Sequence, residues 1–284
     1  MAPSRIRLAQ IEPTLGNLDA NLALHLASID EAAAEGLDAL FFPELSLTGY
    51  FLKDQTPEVA LARDAELLDA LRERSRDMTL GVGFVERARD GRLYNAYGIF
   101  EDGELLHVHQ KVHLVTYGMF EESRDMAAGE QFVVAESRLG RIGVMICEDL
   151  WHASSSWLYF LGGAEIFVVP SAGPARGVSA EEEGLGSTRT WRTLLAGSAI
   201  LSQSWGLYVN RVGCEDGITF GGGSCTFDPS GRAHGEIDGL GAGVLDLEVD
   251  VAETARARLK TPLRRDEKPW LVQRELQRIF EEPC

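Results

Sequence analysis

An apolar run of the chain ends at a cysteine that precedes two acids, in the stretch Arg141-Ile142-Gly143-Val144-Met145-Ile146-Cys147-Glu148-Asp149-Leu150-Trp151. A short apolar run of this kind is typical of a buried strand in an α/β protein. Cys147 therefore lies where a strand stops and where its side chain can face a cleft. Because a thiol has a reference pKa of about 8.5, it needs a nearby base or positive charge to attack efficiently at neutral pH.

Two other apolar runs also end in chargeable groups. Residues 39–43 lead to Glu44, and residues 105–110 lead to Lys111. Glu44 could supply the base and Lys111 the positive charge if the fold brings the three strand ends together. Each residue also has a simpler explanation, since a single cysteine is often buried in a core and single glutamates and lysines usually face water. The three together indicate an active site more strongly than any one of them.

Strand-like and helix-like segments alternate, which predicts one α/β domain with two mixed sheets covered by helices. The dipeptides Asp90-Gly91 and Asp102-Gly103 predict hairpin turns, and the acidic run at 181–183 predicts a solvated loop. Helices are expected between Asn17 and Gly36 and over residues 58–76, 154–161 and 187–205. Strands are expected over residues 6–11, 37–42, 79–85, 94–100, 105–110, 132–135, 141–146, 165–169, 207–212, 224–227 and 244–247.

Composition and charge exclude several classes of function. The 284 residues carry a net charge of -17, which would repel phosphates and argues against a nucleic-acid partner. No stretch reaches about 18 apolar residues, so no membrane span is expected. None of the four cysteines has the C-x-x-C spacing of a zinc ribbon or thioredoxin motif. We therefore expect free thiols in a reducing cytoplasm.

Three segments together resemble the carbon-nitrogen hydrolases of the nitrilase superfamily: Phe42–Tyr50, Gln110–Leu114 and Ile146–Trp151. That family carries its Glu, Lys and Cys in this order and with these flanks. The resemblance runs from Ile6 to Leu247 and implies a four-layer α-β-β-α sandwich that stacks back to back across a homodimer. We expect a hydrolase domain over residues 1–250 and a charged C-terminal tail over residues 251–284 that packs at a subunit interface.

The same resemblance assigns roles to individual residues. It implies that Cys147 is the nucleophile, that Glu44 is its general base and that Lys111 stabilises the tetrahedral intermediate. A second carboxylate beside the lysine falls at Glu122, with Glu121 the neighbour that it could be confused with. No metal or other cofactor is expected for this acyl transfer. Four further residues are expected to contact the substrate: Tyr117, Glu148, Trp151 and Ser171.

The motif variants narrow the expected reaction. The motif Cys147–Trp151 and the segment 209–213 look closest to the corresponding segments of amidases and of the glutaminase domains of glutamine-dependent NAD synthetases. Those glutaminase domains tend to have Asn-Ala-Ser-Pro where this chain has Ser171-Ala172-Gly173-Pro174, so a hydroxyl is missing at Gly173. We expect a stand-alone amidase that converts a small linear amide into a carboxylic acid and ammonia. Glutaminase-type ammonia supply, nitrile hydrolysis, N-carbamoyl hydrolysis and a non-catalytic dimeric binding module remain alternatives.

Overall fold

Two six-stranded β-sheets form the centre of the protein. The computed structural model describes residues 2–178 and 184–281, so the predicted solvated loop at 181–183 lies outside the described residues. Within these ranges, no helix has the length and apolar character needed to cross a membrane.

The described part of the chain forms fourteen strands and nine α-helices. The strands are β1 (Ser4–Gln10), β2 (Ala39–Phe41), β3 (Thr79–Arg87), β4 (Leu93–Glu101), β5 (Glu104–Gln110), β6 (Ala135–Ser137), β7 (Gly140–Val144), β8 (Ile166–Ser171), β9 (Trp205–Asn210), β10 (Cys214–Glu215), β11 (Ile218–Thr219), β12 (Cys225–Phe227), β13 (Ala233–Glu236) and β14 (Gly243–Val249). The helices are α1 (Leu18–Ala34), α2 (Thr56–Val59), α3 (Asp69–Arg74), α4 (Glu122–Asp125), α5 (Ala153–Gly162), α6 (Gly186–Ser202), α7 (Ala252–Lys260), α8 (Leu263–Asp266) and α9 (Pro269–Glu281).

Each sheet has a parallel centre with antiparallel strands at its edges. The first sheet has the order β14-β1-β2-β3-β4-β5, and the second has the order β13-β12-β9-β8-β7-β6. In the first sheet β1, β2 and β3 are parallel, whereas β3, β4 and β5 form the two antiparallel hairpins predicted from the Asp-Gly turns. In the second sheet β7, β8 and β9 are parallel. The carboxyl ends of β2, β5 and β7 are the places where Glu44, Lys111 and Cys147 follow.

The core lies between the two sheets, and a helical layer covers each outer face. Phe41 on β2 and Val168 on β8 belong to one buried cluster that joins the sheets. The neighbouring Leu40 points the other way, toward Ile29 on α1, because successive strand residues face opposite sides. Tyr159 on α5 packs on the second sheet. The predicted four-layer α-β-β-α sandwich is therefore confirmed.

The single helix predicted over residues 58–76 is wrong. The chain there forms α2, a 3-10 turn at Glu66–Leu68 and α3. Between them the Leu61 N–H donates to the Val85 carbonyl at 2.8 Å, and the Arg87 N–H donates to the Leu61 carbonyl at 2.8 Å. Because these backbone bonds run to β3, the chain is extended at Leu61 and a helix cannot continue through it.

Several expected strand boundaries also differ by one to three residues, among them those of β6 and β7. The strand predicted over residues 132–135 begins only at Ala135, and the preceding Phe132 packs against the core. The strand before Cys147 ends at Val144, and Cys147 opens a 3-10 turn that runs to Trp151. The thiol therefore stands on a tight turn beyond the strand and not on the last strand residue.

Candidate active site

Glu44, Lys111 and Cys147 meet at one edge of the sandwich, although 67 and 36 residues separate them along the chain. Glu44 follows β2 and Lys111 follows β5, and both of these strands end at the same edge of the first sheet. Cys147 comes from the second sheet, after β7. The three residues are buried, with exposures of 1%, 0% and 9%. The prediction that the fold brings these strand ends together is confirmed.

The Lys111 ammonium lies between two carboxylates. Its Nζ donates to Glu44 Oε1 at 2.8 Å and to Glu122 Oε1 at 2.7 Å. Burial lowers the pKa of Lys111, but the charges of Glu122 and Glu44 outweigh that effect and hold the pKa well above its ordinary value. The lysine is therefore a fixed positive charge in a site from which water is largely excluded.

The Glu44 carboxylate is held by three different groups. Besides Lys111, Asn95 on β4 donates through Nδ2 to Glu44 Oε1 at 2.7 Å, and the Ala172 N–H donates to Glu44 Oε2 at 2.7 Å. Burial raises the pKa of Glu44, while Lys111 opposes that rise. A carboxylate with a raised pKa accepts a proton more readily than an ordinary one, which suits a general base.

Cys147 occupies a strained backbone conformation. Its φ of 48° lies in the left-handed region, which costs a non-glycine residue on the order of 1–3 kcal/mol unless its surroundings impose it. Burial, and then the negative charge of Glu44, raise the pKa of the thiol well above its ordinary value, and Lys111 only partly opposes them. The resting cysteine is therefore a protonated thiol, and attack requires a base that removes its proton.

Glu122, and not Glu121, faces the site. Glu122 opens α4 and is 7% exposed, whereas Glu121 is exposed. Its Oε1 accepts from the Tyr50 hydroxyl at 2.5 Å as well as from Lys111, and its Oε2 accepts from the Val115 N–H at 2.9 Å. These bonds fix the carboxylate that holds the lysine from the side opposite Glu44.

Of the four residues expected to contact the substrate, Tyr117 and Trp151 are exposed, whereas Glu148 and Ser171 are buried. Tyr117 is 56% exposed, and its hydroxyl donates to both oxygens of Glu148 at 3.1 Å. Trp151 is 46% exposed, and its ring packs edge to face against the Trp191 ring with 5.5 Å between the ring centroids. Ser171 is fully buried at the end of β8, next to Ala172.

Two contacts in the site were missed from the sequence. Asn95 is a buried polar residue between Tyr94 and Ala96 in the apolar first half of β4, and that contrast was the available signal. Tyr50 ends the same motif that contains Glu44, but nothing in the motif indicates that its hydroxyl reaches Glu122.

A cavity of about 950 Å³ opens along β5 and is lined by residues such as Arg63, Glu86 and His107. None of the residues that line it is Glu44, Lys111 or Cys147.

The family model described as carbon-nitrogen hydrolase matches residues 5–259. The chain therefore belongs to the carbon-nitrogen hydrolase family, and both the recognised family and the enzyme class predicted from the motifs are confirmed. The glutamine-dependent NAD(+) synthetase of Thermotoga maritima is 31% identical over 268 residues, which are 92% of this chain and 44% of that protein. The enzyme of the same name from Rhodobacter capsulatus is 31% identical over 87% of this chain and 43% of its own length. The chain spans less than half the length of these curated relatives.

Solved structures agree with the observed fold. A mutant amidase of Nesterenkonia sp. AN1 superposes with a TM-score of 0.77 and 25% identity, covering 96% of this chain and 97% of the amidase. In that mutant, the acetamide moiety of fluoroacetamide is covalently attached to the active-site cysteine. A carbon-nitrogen hydrolase of Helicobacter pylori superposes with a TM-score of 0.82 over 96% and 98% of the two chains, at 22% identity. The second likeness shows the fold alone.

Proposed function

We propose that this chain hydrolyses the carbon-nitrogen bond of a small linear amide through a thioester on Cys147. One observation carries the proposal: a buried ammonium, Lys111, is fixed between Glu44 and Glu122 in the site that also contains the thiol. An acyl-transfer enzyme needs a nucleophile, a base and a positive charge for the oxyanion, and these side chains supply all three.

The first half of the reaction forms the thioester. Glu44 takes the proton of the Cys147 thiol while the sulfur attacks the amide carbonyl carbon, and the carbonyl π electrons move to the oxygen. The Lys111 ammonium stabilises the resulting oxyanion. When the carbonyl re-forms, the carbon-nitrogen bond breaks, and protonated Glu44 gives its proton to the leaving nitrogen. Ammonia departs and the acyl group remains on sulfur.

The second half consumes one water molecule. Glu44 takes a proton from water while the water oxygen attacks the thioester carbon, and Lys111 again stabilises the oxyanion. The carbon-sulfur bond then breaks, and Glu44 returns the proton to the Cys147 sulfur. The net reaction converts an amide and water into a carboxylic acid and ammonia. The covalent acetamide adduct on the active-site cysteine of the Nesterenkonia amidase supports, by analogy, a cysteine that acts as a nucleophile.

Gly173 favours a small amide over glutamine. A Cβ at this position would lie 3.0 Å from Trp191 Nε1, 3.1 Å from the Tyr208 hydroxyl and 3.4 Å from Asn210 Nδ2. The first two distances are tighter than ordinary van der Waals contact, so a serine at this position would require Trp191 and Tyr208 to move by a few tenths of an ångström. The packing around Gly173 therefore leaves little room for a serine, whose hydroxyl could contact a polar substrate such as glutamine.

Glutamine hydrolysis is the second candidate, and Glu148 is the observation that favours it. Its carboxylate is 9% exposed and accepts from Tyr117, and its Oε1 lies 3.9 Å from His152 Nε2. Among the described residues, no lysine or arginine forms an ion pair with it. A substrate ammonium could fill that role. The curated relatives are named glutamine-dependent NAD(+) synthetases, which supports the same candidate.

Ammonia release from a substrate panel distinguishes the candidates. The panel contains propionamide, L-glutamine, propionitrile and N-carbamoyl-β-alanine, with Cys147→Ala as the blank. We expect the highest kcat/KM with propionamide, and a higher value with glutamine would replace the first candidate by the second. If none of the compounds releases ammonia and iodoacetamide labels Cys147 no faster than Cys214, the proposed function is contradicted and the binding module is favoured.

We also propose a homodimer in which α9 contacts a second copy. Val272, Leu276 and Ile279 follow the i, i+4, i+7 spacing of one helix face and are 37%, 48% and 54% exposed. Light scattering of Leu276→Glu should show a smaller particle than the wild type, whereas Gln277→Glu on the same helix should not. A wild-type monomer at micromolar concentration would contradict this proposal.

The expected cytoplasmic location stays a prediction, which cell fractionation would check.

A further inference from the structure

One buried carboxylate, that of Asp149, links the two strand ends that carry Lys111 and Cys147. The residue is 0% exposed. Its Oδ1 accepts from the backbone N–H groups of Val112 at 3.1 Å and His113 at 2.9 Å, the two residues after Lys111. Its Oδ2 accepts from the backbone N–H of Ile146 at 3.0 Å, the residue before Cys147.

His109 supplies the fourth bond to this carboxylate. The residue is 2% exposed on β5, two positions before Lys111, and its Nε2 lies 2.9 Å from Asp149 Oδ2. Because every other partner of Asp149 is a donor, the imidazole Nε2 is assigned as a donor too. Its Nδ1 lies 3.3 Å from the Tyr159 hydroxyl, which donates to the Val144 carbonyl at the end of β7 at 2.8 Å. The network therefore reaches β5, the residues after it, the nucleophile turn and β7.

The bonds of Asp149 bracket the strained cysteine. While its side chain accepts from the Ile146 N–H, its own N–H donates to the Ile146 carbonyl at 3.0 Å. Cys147 lies inside this reciprocal pair, at φ 48°. A residue keeps such a backbone conformation only when its surroundings impose it. The same carboxylate therefore sets the direction of the Cys147 side chain and anchors the chain on the far side of Lys111.

We propose that Asp149, oriented by His109, is a positioning residue that fixes the Cys147 sulfur relative to the Lys111 ammonium across the two sheets. Neither side chain is needed to touch the substrate. The inference rests on the proposed function, in which Cys147 attacks and Lys111 holds the oxyanion. Misplacing a reacting group by about 1 Å is enough to cost on the order of 100-fold in rate.

Asp149→Asn is the sharpest perturbation because it keeps the shape and removes one acceptor. An asparagine amide has one oxygen and one NH₂ group. In one orientation the NH₂ group faces the Ile146 N–H, and in the other it faces the N–H groups of Val112 and His113. Either way, at least one backbone N–H is left without an acceptor. We expect kcat for propionamide to fall about 100-fold with KM changed less than about threefold, because positioning acts on the attack step.

The His109 variants test the orienting bond without touching the carboxylate. In His109→Gln the amide nitrogen can occupy the place of Nε2 and donate to Asp149, whereas His109→Leu removes the donor. We expect His109→Gln to keep at least about a third of the wild-type kcat and His109→Leu to lose about tenfold. If Asp149→Asn does not fold, this pair carries the test, since the three backbone bonds to Asp149 remain in both variants.

Glu101→Gln is the matched control for a purely structural role. Glu101 is also a buried carboxylate, 6% exposed, and it accepts from the Thr79 hydroxyl at 2.6 Å and from the Arg138 N–H at 3.0 Å. It is not part of the proposed active site. We expect Glu101→Gln to lower the thermal midpoint as much as Asp149→Asn does and to leave kcat within about twofold of wild type.

Alkylation of Cys147 by iodoacetamide gives a second readout that requires no turnover. The rate constant at fixed pH should fall about tenfold or more in Asp149→Asn and His109→Leu and should be unchanged in Glu101→Gln. If the wild type releases no ammonia from any amide, the proposed function fails, while the alkylation rates still test the positioning. Normal kcat and alkylation in Asp149→Asn or His109→Leu would overturn the inference, as would an equal loss of kcat in Glu101→Gln.

Discussion

Replacement of Lys111 by arginine tests whether the site needs a compact ammonium or only a positive charge. In the wild type, Nζ lies 2.8 Å from Glu44 Oε1 and 2.7 Å from Glu122 Oε1, and the lysine is 0% exposed. A guanidinium spreads its charge over a planar fork that is larger than an ammonium, so it cannot occupy the place of Nζ without moving the carboxylates that surround it. We therefore expect Lys111→Arg to fold and to lose most of its activity.

The size of that loss follows from the role of the ammonium. Removing one donor to an oxyanion commonly costs about 10²–10³ in kcat, or roughly 2.7–4 kcal/mol. Lys111→Met should lose at least as much, and it should also lose about 3–5 kcal/mol of stability, because two buried carboxylates then face each other without a cation. Lys111→Arg should keep more of that stability, since it retains the charge.

The assay is ammonia release from propionamide, with thermal unfolding measured on the same samples. Lys53→Arg serves as the control, because Lys53 is 56% exposed and pairs with Asp216 at the surface. Its kcat should equal that of the wild type. If Lys111→Arg keeps kcat within about tenfold of wild type, the oxyanion role of a compact ammonium is wrong.

Two further predictions concern the nucleophile and its base. Cys147→Ala should release no ammonia above the blank rate and keep the wild-type circular dichroism spectrum, because no neighbouring group can replace the thiol; turnover within tenfold of wild type would remove Cys147 from the mechanism. Glu44→Gln should lower kcat by about 10²–10⁴-fold, and a loss below about tenfold would contradict a base role. Because burial raises the pKa of Glu44 above its ordinary value, the wild-type kcat/KM should fall as pH decreases through that raised pKa and protonates the base. If the residual activity of Glu44→Gln falls at low pH in the same way as that of the wild type, the titrating group is not Glu44.

Local sequence determined much of this protein. The apolar runs that end at Glu44, Lys111 and Cys147 predicted three strand ends with complementary chemistry, because strand length and polarity are read directly from short segments. The Asp-Gly dipeptides predicted the hairpins of β3, β4 and β5, since only a few turn geometries match the twist of paired strands. The choice of Glu122 over Glu121 needed the structure, because adjacent acids in a loop carry no periodicity that distinguishes them.

Tertiary structure decided what depends on partners distant in the chain. The helix predicted over residues 58–76 is broken because Leu61 forms backbone bonds with β3, and a local pattern of leucines cannot reveal them. Asn95 reaches Glu44 because β4 and β2 lie in the same sheet with β3 between them. Asp149 joins the chain beyond Lys111 to the turn of Cys147 because the two sheets pack face to face. The sequence alone therefore identified the side chains that we propose carry the chemistry. Their spacing and protonation come from burial and from charges on distant segments, which exist only in the folded chain.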